Sequence, residues 1–134
     1  MKVVLLGASK GMGRALARRM ASRGDELFLL GRDVEDLKKS AADLEARGAA
    51  GLPGVAACDL EDVASFQGAL DAGWEALGGR VDCVVVTAAM FATQEALDAD
   101  EQLTCRLLTV NLAHTVVFCE NARKRLLEQG GGTL

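Results

Sequence analysis

Short apolar runs alternate along this chain with stretches whose apolar residues recur every three or four positions. That alternation limits the fold more than any other feature. Lys2 to Leu6 is an apolar, β-branched run that stops at Gly7, the pattern of a buried strand. From Gly13 to Arg23, Leu16 and Met20 share one helical face and arginines another, and Gly24 suits the stop. Leu27 to Leu30 reads as a second strand closed by Gly31, and Asp33 as the cap of a second helix. In that helix Val34, Leu37, Ala41 and Leu44 recur at helical spacing, and Gly48 ends it. Val55 to Cys58 follows the Pro53-Gly54 turn as a third strand. Val63, Phe66, Leu70 and Leu77 mark a third helix, and Cys83 to Thr87 a fourth, fully buried strand. A long helix is expected from roughly Asp100 to Glu128. One face carries Leu103, Leu107, Val110, Val117 and Phe118, and a second carries Leu108 and Leu112.

The order implies an α/β fold: a parallel sheet with right-handed crossovers and helices on both faces; in the doubly wound, Rossmann-type arrangement its strand order is 3-2-1-4. The 134 residues suit one domain, residues 1–134, and half of them are hydrophobic, enough to bury a core. The formal charge is −4 with no basic stripe, so nucleic acid is not an expected partner. The longest apolar run is too short for a membrane span or a signal-peptide core. Cys58, Cys83, Cys105 and Cys119 match no metal-binding spacing. They read as buried small hydrophobes in a reducing cytoplasm.

Between the first strand and first helix stands GASKGMG, Gly7 to Gly13. A glycine turn there can admit a phosphate to the backbone and the helix N-terminus, or it can be a plain connection. Its spacing is G-x-x-x-G-x-G, and it lacks the lysine and hydroxyl ending of a P-loop. Arg32, at the end of the second strand, can pair with the 2′-phosphate of a dinucleotide, or it and Lys10 can be solvated surface cations. Lys10, inside the turn, adds a second positive charge. Together they predict NADP in preference to NAD.

At this point the chain resembles the short-chain dehydrogenase/reductase family, whose fold is a Rossmann-type sheet. Within GASKGMG, the residues Gly7, Ser9, Lys10, Gly11, Met12 and Gly13 are similar to the family's cofactor turn. Lys10 and Arg32 look like the basic pair of its NADP-preferring members. Asp59 and Leu60 look like the pair that contacts the adenine ring. Thr87, Ala88 and Ala89 stand where the family usually has Asn-Ala-Gly. Asn111, in TVNLAH, matches the helix asparagine of the catalytic tetrad, which keeps a water in the proton path. The resemblance implies hydride transfer between nicotinamide and a small-molecule carbonyl or secondary alcohol.

The family's acid-base residue is a tyrosine, lowered in pKa by a lysine four positions later, with a serine holding the substrate oxygen. This chain contains no tyrosine. It is therefore expected to bind cofactor without turnover, as the N-terminal part of a longer reductase truncated before strand five. The alternative is a non-catalytic NADP-binding module or an assembly subunit. A fourth strand left as a bare apolar edge would need a covering copy, so a homo-oligomer is expected. His114 reads as a packed, hydrogen-bonded side chain. Met90 and Phe91 either border the nicotinamide or pack in a loop. Arg123, Lys124 and Arg125 read as a solvated helix end.

Overall fold

The four apolar runs become parallel strands, because amphipathic stretches on either side in sequence can bury both faces of each. The computed structural model describes Met1 to Leu134 and places β1 at Lys2–Leu6, β2 at Glu26–Gly31, β3 at Gly54–Ala57 and β4 at Cys83–Val86. They form one parallel sheet, as the alternation predicts, in the order β3-β2-β1-β4 expected of a Rossmann-type sheet. Val4 of β1 lies opposite Phe28 on one side and Val84 on the other.

The helices are α1 (Gly11–Ser22), α2 (Val34–Ala46), α3 (Ser65–Ala76), α4 (Gln94–Ala99), α5 (Glu101–Leu108) and α6 (Thr115–Glu128). A π-helical segment, Thr109–His114, joins the last two. Successive strand residues face opposite sides of the sheet. Val3, Leu5, Leu27 and Leu29 meet α1 and α2 through residues such as Met20, Leu37 and Leu44. Val4, Leu6, Phe28 and Val84 meet α3 and α6, where Phe66 and Phe118 pack edge to face with centroids 5.4 Å apart. Full burial of each such side chain contributes about 1.5–3 kcal/mol. Asp33 caps α2 as expected, its carboxylate accepting from the Asp36 N–H at 3.0 Å.

Several expectations are corrected. The long helix is not uniform. Asp100 caps α5 by accepting from the N–H groups of Gln102 and Leu103, which separates it from the unforeseen α4. The wider π turn then shifts the phase of the buried face. Val110, Phe118, Ala122 and Leu126 are buried, whereas Val117 is exposed and Leu103 and Leu107 are half-buried. Val63 precedes α3 and is exposed, in a turn closed by Ser65 N–H to Asp62 O at 3.0 Å.

Only Val84 of β4 is fully buried; Cys83, Val85 and Val86 are half-buried. On the outer side of β4 a single bridge sets Cys83 beside Thr133, with the Val84 N–H donating to Thr133 O at 2.9 Å. No strand flanks Val85 and Val86 there. Cys58 is buried, and burial pushes its thiol up to about 11. Cys105 is exposed, because α5 carries no buried residue. Arg125 is not a solvated end: it stacks over Trp74, 5.7 Å from the ring centroid, and pairs with Asp71.

Candidate functional site

The glycine turn owes its shape to packing at two positions and to backbone freedom at a third. Gly7 has φ +104, and a Cβ there would lie 2.5 Å from the Ala88 nitrogen. A Cβ on Gly13 would lie 2.2 Å from Gly7 O and 2.3 Å from Thr87 Oγ1. These two glycines let the start of α1 rest on the ends of β1 and β4. Gly11, at φ +54, faces open space. No side chain caps α1, and its first turn holds no acidic residue. The backbone N–H groups of Ser9, Lys10, Gly11, Met12 and Gly13 find no acceptor within the protein. The helix therefore presents free donors and the positive end of its dipole to one side of the turn.

That side opens on a cleft of ≈ 220 Å³ at the carboxyl ends of the strands. The connections of β1 and β4 leave in opposite directions here, which is where open α/β sheets form a binding crevice. β1 leads into the wall through Gly7, Ser9 and Lys10, β2 through Arg32, β3 through Asp59 and Leu60, and β4 through Thr87, Ala88 and Ala89. Gly11, Met12 and Gly13 do not line the cleft, and the Met12 side chain is exposed. A shallower groove of ≈ 620 Å³ continues between the starts of α1 and α2, past Ser9, Lys10 and Arg32. Lys10 and Arg32 are both exposed, and neither forms an ion pair with any carboxylate.

The remaining residues hold the walls in place. The Asp59 carboxylate accepts from the Glu61 N–H at 3.0 Å, and its own N–H donates to Ser65 Oγ at 3.2 Å. The Thr87 hydroxyl lies 3.2 Å from Leu6 O and 3.3 Å from Gly7 O, so it ties β4 to the end of β1. Asn111 stands on the π segment. Its Oδ1 accepts from the Met90 N–H at 2.7 Å and its Nδ2 donates to Met90 O at 2.8 Å. It does not line the cleft. It borders a separate groove of ≈ 760 Å³ between the outer edge of β4 and α6. His114 is hydrogen-bonded as expected, with Nδ1 donating to Leu60 O at 2.6 Å. Met90 lines the cleft, whereas Phe91 is exposed.

Sequence reasoning missed Glu61. It lines the cleft beyond Leu60, and Arg106 of α5 grips its carboxylate through Nε and, at 2.9 Å, through Nη2. The Arg106 hydrogen bond holds the Glu61 carboxyl below the usual carboxylate range, with smaller pulls from Arg32 and His114. The partners are 45 residues apart, and no periodicity joins them.

The family model described as short chain dehydrogenase matches residues 1–134. D-threitol dehydrogenase of Mycolicibacterium smegmatis is 35% identical over 134 residues, 99% of this chain and 50% of that protein. The solved structure of actinorhodin polyketide ketoreductase with NADPH is 25% identical and superposes with a TM-score of 0.85, over 98% of this chain and 50% of that one. A short-chain type dehydrogenase/reductase from Mycobacterium ulcerans, also 25% identical, gives 0.84 over 97% and 48%. The chain thus spans about half the length of these relatives. No helix is long and apolar enough to cross a membrane.

Proposed function

Because this chain belongs to the short chain dehydrogenase family, we propose that its cleft binds NADP and that residues 1–134 are the cofactor-binding portion of an oxidoreductase. Its substrate class is a carbonyl compound or secondary alcohol. The observation that carries the reading is the pairing of two charge features. Five acceptorless N–H groups lie between Ser9 and Gly13, and two cations without partners, Lys10 and Arg32, stand beside them.

The residues suit the cofactor. The turn from Gly7 to Gly13 would hold the pyrophosphate, with Gly11 leaving room beside the backbone. Lys10 and Arg32 would hold the 2′-phosphate, Asp59 and Leu60 the adenine side, and Thr87, Ala88 and Ala89 the ribose next to the nicotinamide. When bound, NADP supplies or accepts a hydride. Asn111 positions the Met90 loop through two hydrogen bonds, and in the family role it keeps a water in the proton path. The chain contains no tyrosine, so residues 1–134 alone bind cofactor without turnover. NADPH oxidation by this chain alone with a carbonyl substrate would overturn that statement.

Titration of NADPH and NADH against the protein and Arg32→Ala tests the assignment. Loss of one charge-assisted contact weakens NADPH binding by about tenfold and leaves NADH binding nearly unchanged. Equal losses for the two nucleotides would remove Arg32 from the 2′-phosphate.

One observation favours an additional assembly role. Leu108, Leu112 and Val116 form an exposed apolar ridge along α5, the π segment and α6. We read it as a homo-oligomer contact; a protein that sediments as a monomer at high concentration would argue against it. The free thiols of Cys58, Cys83, Cys105 and Cys119 suit a reducing compartment such as the cytoplasm. A net charge of −4 gives nucleic acid no attraction.

A further inference from the structure

Glu61 is the one carboxylate from the loop after β3 that lines the cleft alongside Arg32 and is held by a residue of another helix. Left free, an acidic side chain there would be the natural partner of Arg32, and it would repel a phosphate dianion approaching the same wall. It is not free. Arg106 of α5 engages both of its oxygens, a fork geometry that fixes a carboxylate in direction as well as in charge. His114 fastens the same loop from the π segment by donating to Leu60 O at 2.6 Å. Arg32, meanwhile, has no ion-pair partner although it shares the cleft wall with Glu61.

We propose that Arg106 is a specificity-determining positioning residue: by sequestering Glu61 it leaves Arg32 available to the 2′-phosphate and so favours NADP over NAD. Arg106 touches no part of the cofactor in this scheme. It acts through Glu61, and it belongs to a helix that no glycine motif or basic pair in the sequence points to. The proposal rests on the NADP reading above and deepens it.

The test is a double-mutant cycle in the purified protein, with NADPH and NADH affinities measured for each variant together with thermal unfolding. Arg106→Ala frees Glu61, and the ratio of NADPH to NADH affinity falls about fivefold at low salt, the range of a partly exposed charge pair. The fall shrinks at about 0.5 M salt, where exposed charges are screened. Glu61→Gln alone leaves the ratio equal or higher. The double variant Arg106→Ala/Glu61→Gln restores the ratio, because no carboxylate remains to be sequestered. Arg106→Lys retains part of it, since a point charge replaces the fork.

If Arg106→Ala weakens both nucleotides equally, or if Glu61→Gln fails to rescue it, the residue only supports α5 and the proposal is overturned. Arg32→Ala separates this failure from that of the underlying reading. When Arg32→Ala lowers the ratio and Arg106→Ala does not, only the Arg106 inference falls. When neither changes it, the NADP assignment itself falls.

Discussion

Gly13→Ala puts the packing of the glycine turn to a direct test. Gly13 lies in the first turn of α1, and alanine in a helix is ordinarily better than glycine by up to about 1 kcal/mol. Here the added Cβ would sit 2.2 Å from Gly7 O and 2.3 Å from Thr87 Oγ1. The hydroxyl can rotate away, but the carbonyl belongs to the backbone at the end of β1 and cannot. The start of α1 must move outward, and overpacking of this kind costs about 1–3 kcal/mol. With the clash at the upper end of that range and the propensity gain subtracted, the net loss is about 2 kcal/mol. For 134 residues, at an unfolding entropy of about 2.1 cal/mol/K per residue, this lowers Tm by about 7 °C. The same displacement carries the N–H groups of Lys10 to Gly13 away from the place proposed for the pyrophosphate, so on that proposal NADPH affinity falls by about tenfold. Thermal unfolding and fluorescence titration read the two effects. Thr87→Ala added to Gly13→Ala removes one contact and leaves the other, so recovery is partial. Gly11→Ala, with open space around its Cβ, pays only for positive φ, about 1 kcal/mol. Unchanged Tm and NADPH affinity in Gly13→Ala, or full recovery with Thr87→Ala, would refute the reasoning.

Two other perturbations follow from side chains that tie distant segments together. Asn111→Leu leaves the Met90 N–H and C=O without partners in a half-buried loop, destabilising the protein by about 1–3 kcal/mol. Hydrogen exchange at the Met90 amide accelerates; unchanged exchange would show that the clamp is dispensable. Burial alone would raise the pKa of Asp25, but hydrogen bonds from Arg23 and the Met1 amino group outweigh it and hold the carboxyl below its ordinary range. A depressed folded-state pKa gives stability that is present above the unfolded value, about pH 4, and is lost as pH falls through the folded value. Asp25→Asn therefore lowers Tm by a few degrees at pH 7, and the gap from the parent protein closes in acid. A gap that widens below about pH 4 would contradict the sign.

Much of the fold was legible because its causes are local. Val3 to Leu6 can bury two faces only inside a parallel sheet, and Asp33 caps whatever helix follows it. Both depend on neighbours a few positions away, as does the positive φ of Gly11. The π segment was not legible, since TVNLAH carries ordinary helical spacing and its extra residue per turn shows only as a change in which residues are buried. Arg125 was misread for a related reason. Its charge suggests solvent, but Trp74 and Asp71 reach it from α3.

The sequence by itself determined the α/β alternation, the strand order, the glycine turn and the two cations at its side. The alternation, the turn and the cations arise from periodicity, φ preference or charge within a short window, and the strand order from the resemblance to a Rossmann-type sheet. Only the tertiary structure decided that Lys10 and Arg32 stay unpaired, that Asn111 clamps Met90 with both ends of its amide, and that Arg106 takes Glu61. These are choices among many possible partners. They are made when the sheet and its helices close around the core and bring residues 21 to 45 positions apart within hydrogen-bond reach.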